Sequence, residues 1–215
     1  MKILISGTSR GIGKAIAEKF LSLNHQVIGM DILPSSMEHK NYTHIQKDIR
    51  DDDLPSLDDV EIIIANAGVF DEEDAISVNL EGTIKFVENY FLGEKVKSIL
   101  FIASSSARNG AEFPRYSASK GGLLAYMKYL ANRLAPLGIV VNSLSPGGVM
   151  TESNDKIITD KAKYQAVLNE TLTHKWASPN EIAEWAYFLT VINKSVIGED
   201  ILVDNGEILK SNFIW

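Results

Sequence analysis

The chain has 215 residues, 45% of them apolar, enough for one domain to bury a full core and too few for a second independent one. Its net charge of −7 and the lack of a basic run argue against a nucleic-acid or anionic-membrane surface, because phosphates are held by clustered Lys and Arg. With no cysteine, disulfides, zinc-thiolate sites and thiol nucleophiles are excluded, which fits a reducing, cytoplasmic setting.

Met1 leads directly into "KILIS" (2–6), an apolar strand with no leader segment or cleavage site before it, and no apolar run is long enough to span a bilayer. A soluble, unprocessed protein is expected. "GTSRGIG" follows, placing Gly7, Gly11 and Gly13 between that strand and a helical pattern from Gly11 to Leu23. Glycines there permit a tight turn and let the backbone approach a pyrophosphate, which the free N–H groups of a helix N-terminus favour.

The second strand, "QVIGMD" (26–31), ends on Asp31, 18 residues after Gly13. A carboxylate there meets the adenosine ribose hydroxyls and repels a 2′-phosphate by about 4 kcal/mol per unit charge at 4 Å and an effective dielectric near 20. NAD(H) is therefore favoured over NADP(H), although Arg10 in the glycine turn offers a guanidinium that could pair with the extra phosphate.

Further strands are expected at "THIQ" (43–46), "EIIIA" (61–65), "KSILFIAS" (97–104), "IVVNSLS" (139–145) and "DILVD" (200–204). Helical patterns run from Ala75 to Phe91, Tyr116 to Ala135 and Asn180 to Leu189. Apolar strands alternating with helices predict a single doubly wound α/β domain of Rossmann type, with a parallel sheet between two helical layers. The charged stretches 47–61 and 70–75 read as solvated acidic loops, and the long interruption 151–179 reads as a lid over the substrate. The four histidines are scattered without metal-ligand spacing.

"YSASK" places Tyr116 and Lys120 one helical turn apart on one face, which any helix can do by chance. Taken in order with "GTSRGIG", "ANAG" (65–68), Ser104 and "SPGGVMT" (145–151), it gives nearly the whole chain the pattern of a known family. The sequence resembles the short-chain dehydrogenase/reductases, in their compact reductase branch.

The resemblance implies an NAD(P)-dependent oxidoreductase interconverting a secondary alcohol and a carbonyl compound by hydride transfer. Tyr116 matches the general acid/base, Lys120 the lysine that binds the nicotinamide ribose and lowers the phenol pKa, and Ser104 the serine that hydrogen-bonds the substrate oxygen. Ser105 and Ser106 beside it are alternative hydroxyls. Asn79 matches the asparagine that holds a water in the proton relay. The glycine turn, Ser9 and Ile12 included, matches the cofactor's phosphate site. Asn66, Ala67 and Gly68 match the adenine-ribose side, and Asp48 with Ile49 the pair beside the adenine. Pro146, Gly147, Val149 and Thr151 match the segment around the nicotinamide.

The family's habit of pairing through two long helices implies a homodimer or homotetramer acting on a small molecule. The pattern departs from the family at 50–60, too short for the usual helix, and between Gly68 and Asn79, where only ten residues intervene. "VDNGE" (203–207) stands in place of "VDGG". Two other readings remain open: a redox-sensing dinucleotide-binding protein, and an epimerase or dehydratase with tightly held NAD.

Overall fold

The computed structural model describes residues 1–92, 95–110 and 113–210. Seven strands, β1 (Lys2–Ser6), β2 (Gln26–Asp31), β3 (Tyr42–Gln46), β4 (Ile62–Ala65), β5 (Ser98–Ile102), β6 (Val140–Pro146) and β7 (Asp200–Val203), form one sheet in the order β3-β2-β1-β4-β5-β6-β7. Every pairing is parallel. From β1 the chain winds outward to β3, returns to β4 on the other side of β1, and proceeds to β7. The reversal puts a crevice at the carboxyl ends of β1 and β4, where such sheets bind ligands.

The helices are α1 (Gly11–Ser22), α2 (Thr83–Tyr90), α3 (Ser106–Asn109), α4 (Pro114–Leu134), α5 (Asp155–Ile158), α6 (Lys161–Asn169) and α7 (Pro179–Tyr187). Because side chains alternate along a strand, Ile3, Ile5, Ile62 and Ile64 face α1 and α7, where Ile16, Phe20, Ile182 and Ala186 meet them. Leu4, Ile63, Ile99 and Phe101 face the other way, against Phe86, Leu123, Met127 and Leu130 of α2 and α4. Central strands buried on both faces explain why their sequences are almost continuously apolar. Phe20 has no exposed surface, and its truncation to Ala would cost about 3–5 kcal/mol.

All seven expected strands are present, with small differences at their ends. The helical pattern at 75–91 is two elements, a π-helical stretch Ala75–Gly82 and then α2. Such wide turns occur where a side chain must be re-aimed, and Asn79 lies inside this one. α7 starts with a capping box in which Ser178 and Glu181 serve each other's backbone N–H, with Pro179 in the first turn. Hydrogen bonds from Ser178 and Lys175 hold the Glu181 carboxyl down near pKa 2.

Residues 47–61 form turns without a helix, and they are not a plain solvated loop. Ile49 and Val60 are buried, and Leu54 and Leu57 pack against the same core. Three of its carbonyls receive side chains from other elements: Lys85 Nζ on Arg50 at 2.7 Å, Tyr90 Oη on Pro55 at 2.9 Å, and Lys2 Nζ on Asp58 at 3.0 Å. The interruption at 151–179 contains a short 3-10 turn, α5 and α6, and is joined back to the fold by the bridge between Val149 and Ala177.

Candidate active site

The glycine turn is built by close approach. Gly7 has φ +75°, and a Cβ on Gly13 would sit 1.9 Å from the Gly7 carbonyl oxygen, so a side chain at either position would break the turn. Asn66 donates through Nδ2 to the carbonyls of Ser6 (3.0 Å) and Gly7 (2.9 Å), while Ser6 Oγ accepts from the N–H groups of Asn66 and Ala67. These bonds join the ends of β1 and β4. α1 then begins after Arg10 with no side-chain cap and no acid in its first turn. Its N-terminus, including Ile12, thus keeps backbone N–H groups and positive dipole for an anion, a chemistry that fits the pyrophosphate of a dinucleotide.

Asp31 closes the adjacent corner. Its two oxygens accept from Ser9 N (2.8 Å) and Leu33 N (2.9 Å). Ser9 Oγ donates to the Pro34 carbonyl at 3.0 Å and Ser36 Oγ to the Ser9 carbonyl at 2.7 Å, which folds the loop after β2 against the turn. Asp48 is held by Arg50, whose Nη2 donates to it at 2.7 Å and keeps the carboxyl below its ordinary pKa. Ile49 is a core side chain, so its backbone is the part it can offer a ligand.

On the far side of the crevice, Pro146 pairs with Val203, and Gly147 N donates to the Val203 carbonyl at 3.0 Å. "VDNGE" also packs closely on Gly147, since a Cβ there would lie 2.8 Å from Asp204 Cβ. Val149 is buried, and Thr151 Cγ2 would be 3.5 Å from a Cβ on Gly11. Thr151 therefore stands beside the glycine turn.

Ser104, Tyr116 and Lys120 come together between the end of β5 and the first turns of α4. The Ser104 side chain neighbours the Tyr116 hydroxyl and favours its phenolate, and of "SSS" it is Ser104 that acts on the phenol. Burial raises the phenol pKa, and the Ser104 hydroxyl opposes that rise. Lys120 Nζ lies 5.8 Å from the centroid of the Tyr116 ring and donates to the Ile102 carbonyl at 3.0 Å. Only 5% exposed, Lys120 has its pKa lowered to about 8 by loss of water. The amine's position beside the phenol agrees with the sequence expectation. The direction of the phenol shift runs against it, since burial outweighs the opposing effect of the Ser104 hydroxyl in the protein alone.

Asn79 is fully buried. Its Oδ1 accepts from Val69 N at 2.7 Å, and its Nδ2 donates to the Val69 carbonyl (2.9 Å) and to Ser119 Oγ (3.2 Å). Both amide hydrogens are spent, so the side chain fastens the segment after Gly68 to α4 and keeps one acceptor position on Oδ1. Gly68 lies between Asn79 and Lys120, with a built Cβ 3.4 Å from Nζ.

The acidic run 70–75 is the second place where the solvated-loop reading is corrected. Glu72 accepts from the N–H groups of Arg115 (3.0 Å) and Tyr116 (3.3 Å), capping α4 from outside the helix. Phe70 sets its ring against Tyr116 at 4.6 Å and against Phe113 at 4.7 Å. A lone aromatic among acids directly after "ANAG" was the available signal. Arg108 of α3 pairs with the buried Asp200 at 2.7 Å, and Asp200 also accepts from Ser143 Oγ (2.7 Å) and Ser145 Oγ (2.8 Å). That network spans from α3 to β7, 92 residues apart in sequence, and local spacing could not reveal it.

A crevice shaped for a dinucleotide and ending on a phenol, a hydroxyl and an amine defines the chain as an oxidoreductase acting on CH–OH groups with NAD or NADP. The profile of a family described as enoyl-(acyl carrier protein) reductase matches residues 64–207. The chain belongs to the short-chain dehydrogenase/reductase family. It is 28% identical to a 3-oxoacyl-[acyl-carrier-protein] reductase FabG of Buchnera aphidicola, over 94% of each chain. A short chain dehydrogenase family protein from Francisella tularensis superposes with a TM-score of 0.86 at 27% identity, over 97% of this chain and 99% of the other.

Two further solved structures, each 25% identical, were determined with different cofactors. A 4-hydroxyisoleucine dehydrogenase complexed with NADH has a TM-score of 0.84, covering 98% of this chain and 99% of its own. A putative 2-deoxy-d-gluconate 3-dehydrogenase from Agrobacterium tumefaciens with bound NADP has a TM-score of 0.83, covering 97% and 96%. No helix among the described residues is long and apolar enough to cross a membrane.

Proposed function

We propose that the protein interconverts a secondary alcohol and a ketone, with Tyr116 transferring the proton. The observation that carries this is Lys120, its Nζ 5.8 Å from the centre of the Tyr116 ring and bonded to the Ile102 carbonyl at the carboxyl end of β5, with Ser104 acting on the same phenol. When bound, the dinucleotide supplies the hydride acceptor or donor through its nicotinamide ring. In the reducing direction Tyr116 gives its phenolic proton to the carbonyl oxygen, and Ser104 donates a second hydrogen bond to that oxygen. In the oxidising direction the phenolate takes the proton from the alcohol. Lys120 spends one of its three N–H donors on Ile102 among the described residues, leaving the others for ribose hydroxyls and for the phenol.

The glycine turn and the start of α1 would hold the pyrophosphate. Asp48, Ile49 and the 66–68 segment would border the adenine and its ribose, and Pro146 to Thr151 the nicotinamide. Asp31 favours NAD(H), because its oxygens, after accepting from Ser9 and Leu33, keep lone pairs for ribose hydroxyls and none of the affinity for a phosphate. Residues 151–179 serve as the lid. Two chains are expected to pair through α2 and α4, where Tyr129 on α4 and Leu92 just after α2 are exposed. The test is an NADH-absorbance screen over ketones and secondary alcohols, repeated with Tyr116→Phe. Turnover that survives this substitution on a proven substrate would overturn the mechanism.

A further inference from the structure

We propose that Phe70, with Phe113 beside it, forms the pocket wall that selects the group attached to the reacting carbonyl, and that this group is apolar and uncharged, an aryl or branched alkyl substituent. The inference rests on Tyr116 being the proton donor.

Two observations place the wall. The Phe70 ring meets Tyr116 edge-on, with centroids 4.6 Å apart and planes at 63°, and Phe113 also meets Phe70 at 4.7 Å and 67°. Yet Phe70 is 53% exposed and Phe113 39% exposed. Large rings half in water and next to a reacting phenol are an apolar surface waiting for a partner, and the partner that Tyr116 brings there is the substrate. Phe113 also sits at φ +36°, a left-handed conformation that a bulky residue adopts only when its surroundings enforce it.

The wall is fixed at both ends. Asn79 holds Val69 by its N–H and its carbonyl, and Glu72 holds the first turn of α4 through the N–H groups of Arg115 and Tyr116. Phe70 lies between these two attachments, so it keeps its place against Tyr116 when a ligand enters. Glu72, two residues on, sets its carboxylate on the N–H groups of Arg115 and Tyr116, and a negative charge there disfavours an anionic substituent. A polyhydroxylated chain would have to give up water against the face of Phe70 without hydrogen-bond partners there.

The decisive experiment separates binding from reaction. Tyr116→Phe protein loaded with NADH is titrated with acetophenone and with fructose, by ligand-observed NMR, in the Phe70 wild-type, Phe70→Ala and Phe70→Leu forms. Acetophenone should bind at least about tenfold more tightly than fructose, Phe70→Ala should erase about tenfold, and Phe70→Leu should keep most of it. Fructose binding as tightly as acetophenone, or acetophenone affinity unmoved by Phe70→Ala, overturns the proposal. A dimer that dissociates in Phe70→Ala with acetophenone affinity unchanged also overturns it, and gives the patch to a second copy of the chain. If Phe70-dependent binding holds while protein with Tyr116 intact turns over neither compound class, the reaction assigned above fails and the wall stands.

Discussion

Lys120 Nζ donates to the Ile102 carbonyl at 3.0 Å, tying the first half of α4 to the end of β5 two residues before Ser104. The bond keeps the amine in a site from which water is excluded, and burial lowers its pKa from 10.5 to about 8. The folded pKa lies below the unfolded one, so the unfolded chain binds the proton more strongly between these values. Stability is reduced in full below pH 8 and recovered as pH rises toward 10.5. Measured by urea unfolding against Lys120→Met, the wild-type protein should gain about 3 kcal/mol across that window. A constant difference between the two proteins would show that the amine is not desolvated.

Tyr116→Phe removes the transferable proton and keeps the ring that Phe70 contacts. Turnover should fall by about 10²- to 10⁴-fold, with dinucleotide affinity nearly unchanged. Fluorescence titration of NADH and single-turnover absorbance measure the two quantities separately.

Ser104→Ala acts on the same proton from the other side. Burial raises the Tyr116 pKa and the Ser104 hydroxyl opposes the rise, so the variant should have a still higher phenol pKa. Alcohol oxidation, which needs the phenolate, should then begin at a more alkaline pH, while carbonyl reduction, which needs the phenol, should stay flat over neutral pH at a lower rate. The pH profiles of both directions check this, and an oxidation limb that stays in place would rule out the assigned effect of Ser104.

Asp31→Ser removes the carboxylate proposed above to meet the ribose hydroxyls and leaves a side chain able to accept from Ser9 N. The ratio of NAD(H) to NADP(H) affinity should shift at least tenfold toward NADP(H), a fraction of the repulsion of about 4 kcal/mol set by the unit charges alone. Side-by-side titration of the two cofactors reads it directly, and an unmoved ratio would transfer the preference to Arg10 and the loop after β2.

Ser178→Ala breaks the capping box of α7 without touching the crevice. It should cost about 1 kcal/mol of stability, a drop of about 2–4 °C in Tm, with turnover intact. Thermal unfolding followed by circular dichroism is the measurement.

Local pattern was sufficient for the sheet, because central strands buried on both faces must be apolar throughout, and "KILIS", "EIIIA" and "KSILFIAS" could be little else. It also placed Gly7 and Gly13 in the turn between β1 and α1, and Tyr116 and Lys120 one turn apart on α4, as the structure has them. It failed where a contact joins distant segments. Nothing in the sequence marks Glu72 as the cap of α4, Asn79 as the holder of Val69, or Asp200 as the partner of Arg108, since each pairing depends on how the helices land on the sheet. The π-helical stretch escaped for the same reason. Its apolar spacing looks helical, and the wider turn, with Asn79 buried inside it, leaves no mark on that spacing. In 47–61, the count of acids hid Ile49, Leu54, Leu57 and Val60, which cover the core without any periodicity.

That segment holds its place in part through Lys2, Tyr90 and Lys85, side chains lent by β1 and α2 to the carbonyls of Asp58, Pro55 and Arg50. Where a helix would carry its own internal ladder, this cover is anchored from outside, and it opens when those bonds and the packing of Leu54, Leu57 and Val60 are released, with the sheet beneath it intact. Amide hydrogen exchange across 52–60 should therefore run far faster than in β4. Because Asp48 and Ile49 head the segment, a dinucleotide that settles against them should slow that exchange, so that part of its binding energy is used to quiet a stretch of chain that never touches it.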